Sequence, residues 1–293
     1  DLLKKAYKRF VKNLPDDYEV FCEEQSEWLD NYALFMALKD ANGGNEWSKW
    51  EKNLKFREEA SIVQTRKTYA EEMDFYKMLQ YLFFRQWNSL KAYANEKGIQ
   101  IIGDVPIYVA MDSADVWANP SQFYLDEKLE PIEVAGCPPD AFSADGQLWG
   151  NPLFRWDVMK ADGYTWWTKR IAAMSKIYDV VRIDHFRGFD SYFAIPYGDA
   201  NAQRGHWKQG PGMDLFSTVE QKIGKQNIMA EDLGYMTDSV KKLLSDSGFP
   251  GIKLLQFAFD SRDGGGDMYL PENYPENCVA YTGTHDNDTS VGW

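Results

Sequence analysis

Residues 179–189 read DVVRIDHFRGF, a stretch that opens as an apolar strand and closes in a cluster of charge. Side chains alternate across a strand with a period of two, so Arg182 and Asp184 share one face and Val181 and Ile183 the other. A guanidinium and a carboxylate directed into the middle of a sheet are costly to bury unless they serve each other or a ligand. If the sheet closes into a barrel, these groups sit at its carboxyl end, where active sites of that fold are assembled.

Working outward, short apolar runs at 99–105, 179–184, 227–231, 252–259 and 278–284 alternate with helical patterns such as 164–178 and 237–245. Strands alternating with helices predict parallel βαβ units. Five strands are legible. A closed barrel needs eight, so the pattern fits either an open doubly wound sheet or part of a barrel. Residues 1–98 instead carry helical spacing. Leu3, Tyr7, Phe10 and Leu14 form one apolar stripe, and Trp28, Tyr32 and Phe35 form a second that Asn42-Gly43-Gly44 ends. Tyr69, Met73, Tyr76, Leu79, Phe83, Trp87 and Leu90 form a third, with a stop at Gly98. These aromatics read as core, and the charged run 51–59 as solvated surface. Two connections, 111–163 and 186–213, are too long for turns and rich in aromatic residues and glycine, which marks functional loops.

Composition narrows the function. The 293 residues are 44% hydrophobic and 26% charged, enough for one large domain or two small ones. A formal net charge of −13 argues against nucleic-acid and anionic-membrane partners, which need positive charge, and leaves a neutral ligand compatible. The 15% aromatic content supplies bulk for a core or flat platforms for sugar rings and peptides. Cys22, Cys137 and Cys278 are widely separated and odd in number, which fits a reducing compartment such as the cytoplasm. No apolar run approaches the roughly 18 residues of a membrane span, and the first residues lack the apolar core of a signal peptide. The chain begins without Met, so a natural start upstream is expected.

Three of the apolar runs lead into acids: Asp184 after VVRI, Glu231 after NIMA and Asp286 after VAYTGTH. In a barrel all three converge at one rim. Clustered carboxylates without a His/Cys metal set suit glycoside chemistry. One attacks the anomeric carbon, one protonates the leaving oxygen, and a third steadies the positive transition state. A lone acid at a strand end is usually a cap or an ion-pair member, but three with Arg182, His185 and His285 beside them are a stronger signal. A Mg²⁺ site on the rim is the competing reading, ranked lower for want of a phosphate-gripping Gly-Lys loop.

RIDHFRGF (182–189), AEDLG (230–234) and YTGTHDNDT (281–289) resemble three signature regions of the amylomaltase, or 4-α-glucanotransferase, family of the α-amylase clan. IIGDVPIYVAMDSADVW (101–117) resembles the region on that family's third barrel strand, and PPDAFSADGQLWGNPLFRW (138–156) its acceptor-side loop. The five blocks run in order from about Phe84 to Trp293.

The resemblance implies a (β/α)₈ TIM barrel represented incompletely, about strands three to seven. Two strands would precede residue 1 and one would follow Trp293, with a helical insertion at 1–83 and the partial barrel at 84–293. It implies Asp184 as nucleophile, Glu231 as general acid/base and Asp286 as transition-state stabiliser. Arg182 would hold Asp184 ionised, whereas Glu231 would need a raised pKa to begin protonated. His185 and His285 would bind sugar hydroxyls, with Asp104 and Gln147 as further ligands. Trp149 would stack on a glucose ring, with Phe142 near it. Asp104 reads equally well as a strand-end residue fixing a loop, and Trp149 also as loop packing. Gln256 and Asp260 resemble family positions near the substrate and read also as strand caps. Ala141 stands where some relatives carry Tyr, which puts one secondary glucan contact in doubt.

The implied reaction is retaining transfer between α-1,4-glucan donor and acceptor, with no cofactor and no metal, in the cytoplasm or, in a plant, the plastid. An α-glucan hydrolase is the nearest alternative. A glucan-binding fragment that self-associates through open sheet edges is the alternative of another class. Little activity is expected of the 293-residue piece by itself.

Overall fold

The structure is a computed structural model and describes residues 2–139, 143–234, 236–259 and 266–293. Two units emerge, one from Asp1–Ile99 with Val109–Glu130 and the other from Gln100–Tyr108 with Pro131–Trp293. The division falls at 99/100 rather than 83/84 because a single helix, Ala70–Glu96, runs through residue 83.

In the first unit this long helix packs with helices Leu2–Phe10, Tyr18–Glu24 and Ser26–Ala41. Helix Ser26–Ala41 buries Leu29, Ala33, Leu34, Phe35 and Leu38. Asn42-Gly43-Gly44 ends it as expected, with both glycines at positive φ and Gly44 N–H returning to the Lys39 carbonyl at 2.8 Å. Gly98, at φ +73, closes the long helix in the same way. Leu14 lies beyond the first helix, which ends at Phe10. The expected aromatic core forms only in part. Tyr7, Phe35 and Met73 are buried, whereas Trp28, Phe83 and Leu90 are exposed. Phe75, Tyr81 and Phe84 of the long helix make ring contacts with Tyr7, Tyr18, Phe21 and Trp28 of its neighbours. Part of the first long connection belongs here too. Trp117, from helix Ala114–Ala118, donates its indole N–H to the Leu54 carbonyl at 3.0 Å and lies under the Arg57 guanidinium.

The second unit holds nine strands among its described residues: β1 (Ile102–Val105), β2 (Glu133–Cys137), β3 (Gln147–Pro152), β4 (Val180–Ile183), β5 (Ser191–Pro196), β6 (His206–Gln209), β7 (Ile228–Ala230), β8 (Gly251–Leu254) and β9 (Cys278–Tyr281). Strands β1, β4 and β7 form a parallel sheet in which Asp104 pairs with Arg182 and Arg182 with Met229. Strands β8 and β9 form a second parallel ladder. Ala230 N–H to the Pro250 carbonyl, 2.9 Å, links β7 to the start of β8. Met229, Ile252 and Leu254 form a core cluster, with Val180, Val279 and Tyr281 against it. Helices Thr165–Ile177 and Asp238–Ser247 fall where the helical patterns predict, and Thr237 caps the latter by accepting from Val240 N–H. The predicted strand at 252–259 stops at Leu254 and continues as a 3₁₀ turn, Leu255–Phe259. Among the described residues no helix is long and apolar enough to cross a membrane.

The two long connections differ most from the reading as loops. They contribute β2, β3, β5 and β6, which pair as an antiparallel sheet in the order β3-β2-β5-β6 around Val134, Phe193, Ile195 and Ala202. Glycine interrupts β2 and β3, and β5 and β6 are short strands in a glycine-rich segment, so pairing across distant segments supplies the order. Gly136 permits the β2–β3 approach, since a Cβ there would lie 2.1 Å from the Gln147 carbonyl oxygen, a backbone atom. Gly136→Ala should therefore destabilise the protein by about 1–3 kcal/mol, read as a lowered unfolding midpoint in urea.

Candidate active site

Arg182 projects from β4 between two acids. Its Nη1 donates to Asp104 Oδ1 on the adjacent strand β1 and, at 3.0 Å, to Asp184 Oδ1 just beyond its own strand. A buried guanidinium is tolerated here because both acids balance it. Asp184 N–H donates to the Val105 carbonyl at 3.0 Å, which anchors the residue at the carboxyl end of the sheet. Burial raises its carboxyl pKa. Arg182 pulls it down as expected, but burial with the charges of Asp104 and Asp286 outweighs that pull.

Glu231 stands at the same end of β7, its N–H extending the ladder to the Ile183 carbonyl at 3.0 Å. Its two carboxyl oxygens accept separate backbone bonds, from His185 N–H at 2.8 Å and Leu233 N–H at 2.6 Å. Burial nevertheless pushes its pKa up to about 7, and the neighbouring Asp184 charge adds to the rise, while the two amide bonds and Arg182 oppose it. The residue after Asp184 thus grips the carboxyl of Glu231. His185 does so in a left-handed backbone conformation, φ +53, which is unfavourable for a residue with a Cβ. Its imidazole is held neutral by burial, the pKa lowered to about 4.

The His185 ring meets the Trp149 indole edge to face, centroids 4.9 Å apart. Trp149 comes from β3 and donates its indole N–H to Gln147 Oε1 at 3.0 Å. Tyr108 flanks it and stacks on Phe154. His285 and Asp286 arrive from beyond β9. Nε2 of His285 lies 3.5 Å from Asp286 Oδ2 and 4.0 Å from Asp104 Oδ2, and both side chains are exposed. Asp286 is not a strand end, because β9 stops at Tyr281 and a turn braced by Thr284 and Asn287 carries the acid onward. Beside this cluster is a cavity of about 320 Å³, lined by side chains of all five parallel strands, among them Asp104, Arg182, Met229, Ile252 and Tyr281.

The structure therefore brings together Asp104, Arg182, Asp184, His185, Glu231, His285 and Asp286, and joins Trp149 and Gln147 to them through His185. Phe142, Ala141 and Asp260 lie outside the described residues. Buried Gln256 donates to the Asp288 carbonyl at 3.1 Å, a bracing contact. Sequence reasoning missed Tyr108, Asp232 and Lys253. The last two form a buried ion pair at 3.3 Å, and their only sequence signal was charge next to apolar strands. Among the described residues no group of three or more His, Cys, Asp or Glu is arranged to hold a metal ion.

Fold and site together define an α/β protein of the class that gathers carboxyl and cationic groups beyond the carboxyl ends of parallel strands. The chain belongs to the 4-alpha-glucanotransferase family, whose model matches residues 1–293. It is 50% identical to the 4-alpha-glucanotransferase of Clostridium butyricum over its whole length and 60% of that relative. It is 48% identical to that of Thermus thermophilus, covering 99% of this chain and 59% of the relative. Among solved structures it superposes on the amylomaltase from Streptococcus agalactiae in complex with acarbose with a TM-score of 0.94, at 43% identity, over 100% of this chain and 59% of that one. The chain thus spans about three-fifths of the length of these relatives.

Proposed function

We propose that the protein takes part in transfer of α-1,4-glucan segments between maltooligosaccharides by retaining double displacement. Asp184 attacks the anomeric carbon and holds the glucosyl group as an ester. Glu231 protonates the departing oxygen and then takes the proton from the acceptor 4-hydroxyl. Asp286 stabilises the oxocarbenium-like transition state, while Arg182 and Asp104 orient Asp184. The two histidines and Gln147 bind hydroxyls, and Trp149 stacks on a sugar ring. The five parallel strands are read as strands three to seven of a (β/α)₈ barrel, with the helical unit as an insertion. A cytoplasmic location, or a plastid one in a plant, goes with this reading.

The observation that carries the proposal is the pair Asp184 and Glu231. Burial, with the Asp184 charge adding to it, raises the Glu231 pKa to about 7, where an acid/base works, while Asp184 beside it keeps the pull of Arg182 toward its ionised form. Product analysis with maltotriose tests it. Glucose together with oligomers longer than maltotriose, at the low rate expected of this piece by itself, is the expected outcome, whereas shortening alone identifies a hydrolase. Trp149→Ala should raise the half-saturating acceptor concentration about tenfold, or ~1.4 kcal/mol, with little change in hydrolysis of the donor.

A further inference from the structure

The segment Glu231–Gly234 that follows β7 is held at Glu231, Asp232 and Leu233. Glu231 receives the His185 and Leu233 amides. Asp232, 2% exposed, accepts Ile252 N–H at 2.6 Å with one oxygen and faces Lys253 Nζ at 3.3 Å with the other. The Tyr269 phenol sits near enough to the Gly234 backbone amide and to the Asp232 and Glu231 carboxyls for each to bear on its pKa. The same Tyr269 ring, itself buried and edge to face with Phe257, lies 5.6 Å from the Lys253 ammonium. Lys253 and Tyr269 thus come to the segment from two other parts of the chain, β8 and the 3₁₀ turn Gly266–Tyr269, and form one buried cluster with Asp232. The chemistry proposed above uses none of the three side chains, and burying an ammonium, a carboxylate and a phenol together is costly without a return.

We propose that Tyr269, Lys253 and Asp232 form a positioning assembly that fixes the Glu231–Gly234 segment so that the Leu233 and His185 amides stay aimed at the Glu231 carboxyl. The inference rests on the reading of Glu231 as acid/base, but concerns where its proton is held rather than turnover. Fixed amide donors favour the charged carboxylate and so offset part of the burial that raises its pKa. Hydrogen bonds weaken over tenths of an ångström and with misaligned angles, whereas burial persists through small shifts. Loosening the segment therefore costs the amide bonds first. The acid then titrates at a higher pH.

The test is direct titration of Glu231 by carboxyl ¹³C NMR, its resonance assigned by its loss in Glu231→Gln. Tyr269→Phe, which removes only the hydroxyl, should move the Glu231 midpoint upward by roughly half a unit or more. The pair Asp232→Asn with Lys253→Met, which removes both charges while keeping the volumes, should move it in the same direction. Each variant is accompanied by a thermal unfolding curve. A lower midpoint of unfolding with the Glu231 titration unmoved in both variants would make the assembly merely structural and overturn the proposal. If Tyr269→Phe does not fold, the charge-pair variant decides alone. The readout is a proton equilibrium, so it stands whether or not the chain turns over glucan, and failure of the transfer reading would show separately in the maltotriose products.

Discussion

Replacing Asp184 with Asn is expected to reduce glucan transfer by on the order of 10⁴-fold or more, as removal of a nucleophile does when the remaining groups act as a unit with it. The amide keeps the size and the contact toward Arg182, which reaches Asp184 Oδ1 at 3.0 Å, so the fold should persist. What it loses is the anionic oxygen that forms the ester. Arg182 keeps its other partner, Asp104, and is not left as an unpaired buried cation. The measurement is transfer with maltotriose, beside mass spectrometry of the protein after reaction with a fluorinated glucosyl donor. The parent should gain the mass of one sugar and Asp184→Asn should not. Substantial transfer left in the variant, or a sugar found on another residue, would remove Asp184 from the nucleophile's role.

The second large effect concerns Glu231. With a pKa near 7, the group is protonated below that pH and ionised above it. An acid must carry its proton to donate it, so kcat/KM should fall as pH rises through about 7. Asp184 must instead be ionised to attack, and its raised pKa moves the acid limb upward from the ordinary 3.8. Glu231→Gln should lower turnover by roughly 10²–10⁴-fold with ordinary glucans and erase the alkaline limb. Glucosyl fluoride, whose leaving group needs no proton, should restore much of the first step. A variant equally slow with both donors would point to lost structure rather than a lost proton.

The same shift has a consequence for stability. The folded pKa of Glu231 lies above its ordinary 4.5, so between those values the folded state holds more protons than the unfolded one. Its contribution is present below about pH 4.5 and declines as pH rises toward 7. Across that window the unfolding free energy of the parent should drop relative to Glu231→Gln by up to about 3 kcal/mol. Urea unfolding at several pH values would show it. A difference independent of pH would mean that the carboxyl is not held above its usual range.

Much of this arrangement was legible before any coordinates. The run VVRI has one reading as a strand, and the period of two places Arg182 with Asp184; the 3.0 Å bond between them follows. Helices Thr165–Ile177 and Asp238–Ser247 were equally plain from the helical pattern of the sequence. The antiparallel sheet was not. Its four strands come from segments that look like glycine-rich loops, and each is ordered only by a partner far along the chain. Asp286 was read as the end of a strand because VAYTGTH is largely apolar, yet Thr284 and Asn287 turn the backbone there. The pair Asp232 and Lys253 escaped because nothing local says that two charges will be buried together.

The chain's order of residues determined which chemical groups follow which strands, since alternation along a strand and helical spacing are properties of neighbouring residues. Only the tertiary structure decided that His185, in a left-handed turn, would hold the carboxyl of Glu231, and that Asp104 would share the guanidinium of Arg182. It also decided that burial would raise the pKa of both candidate catalytic carboxyls, that of Glu231 to about 7. Proton affinity in such a site depends on how much water is excluded and which distant groups take its place, and neither is a property of any single stretch of sequence.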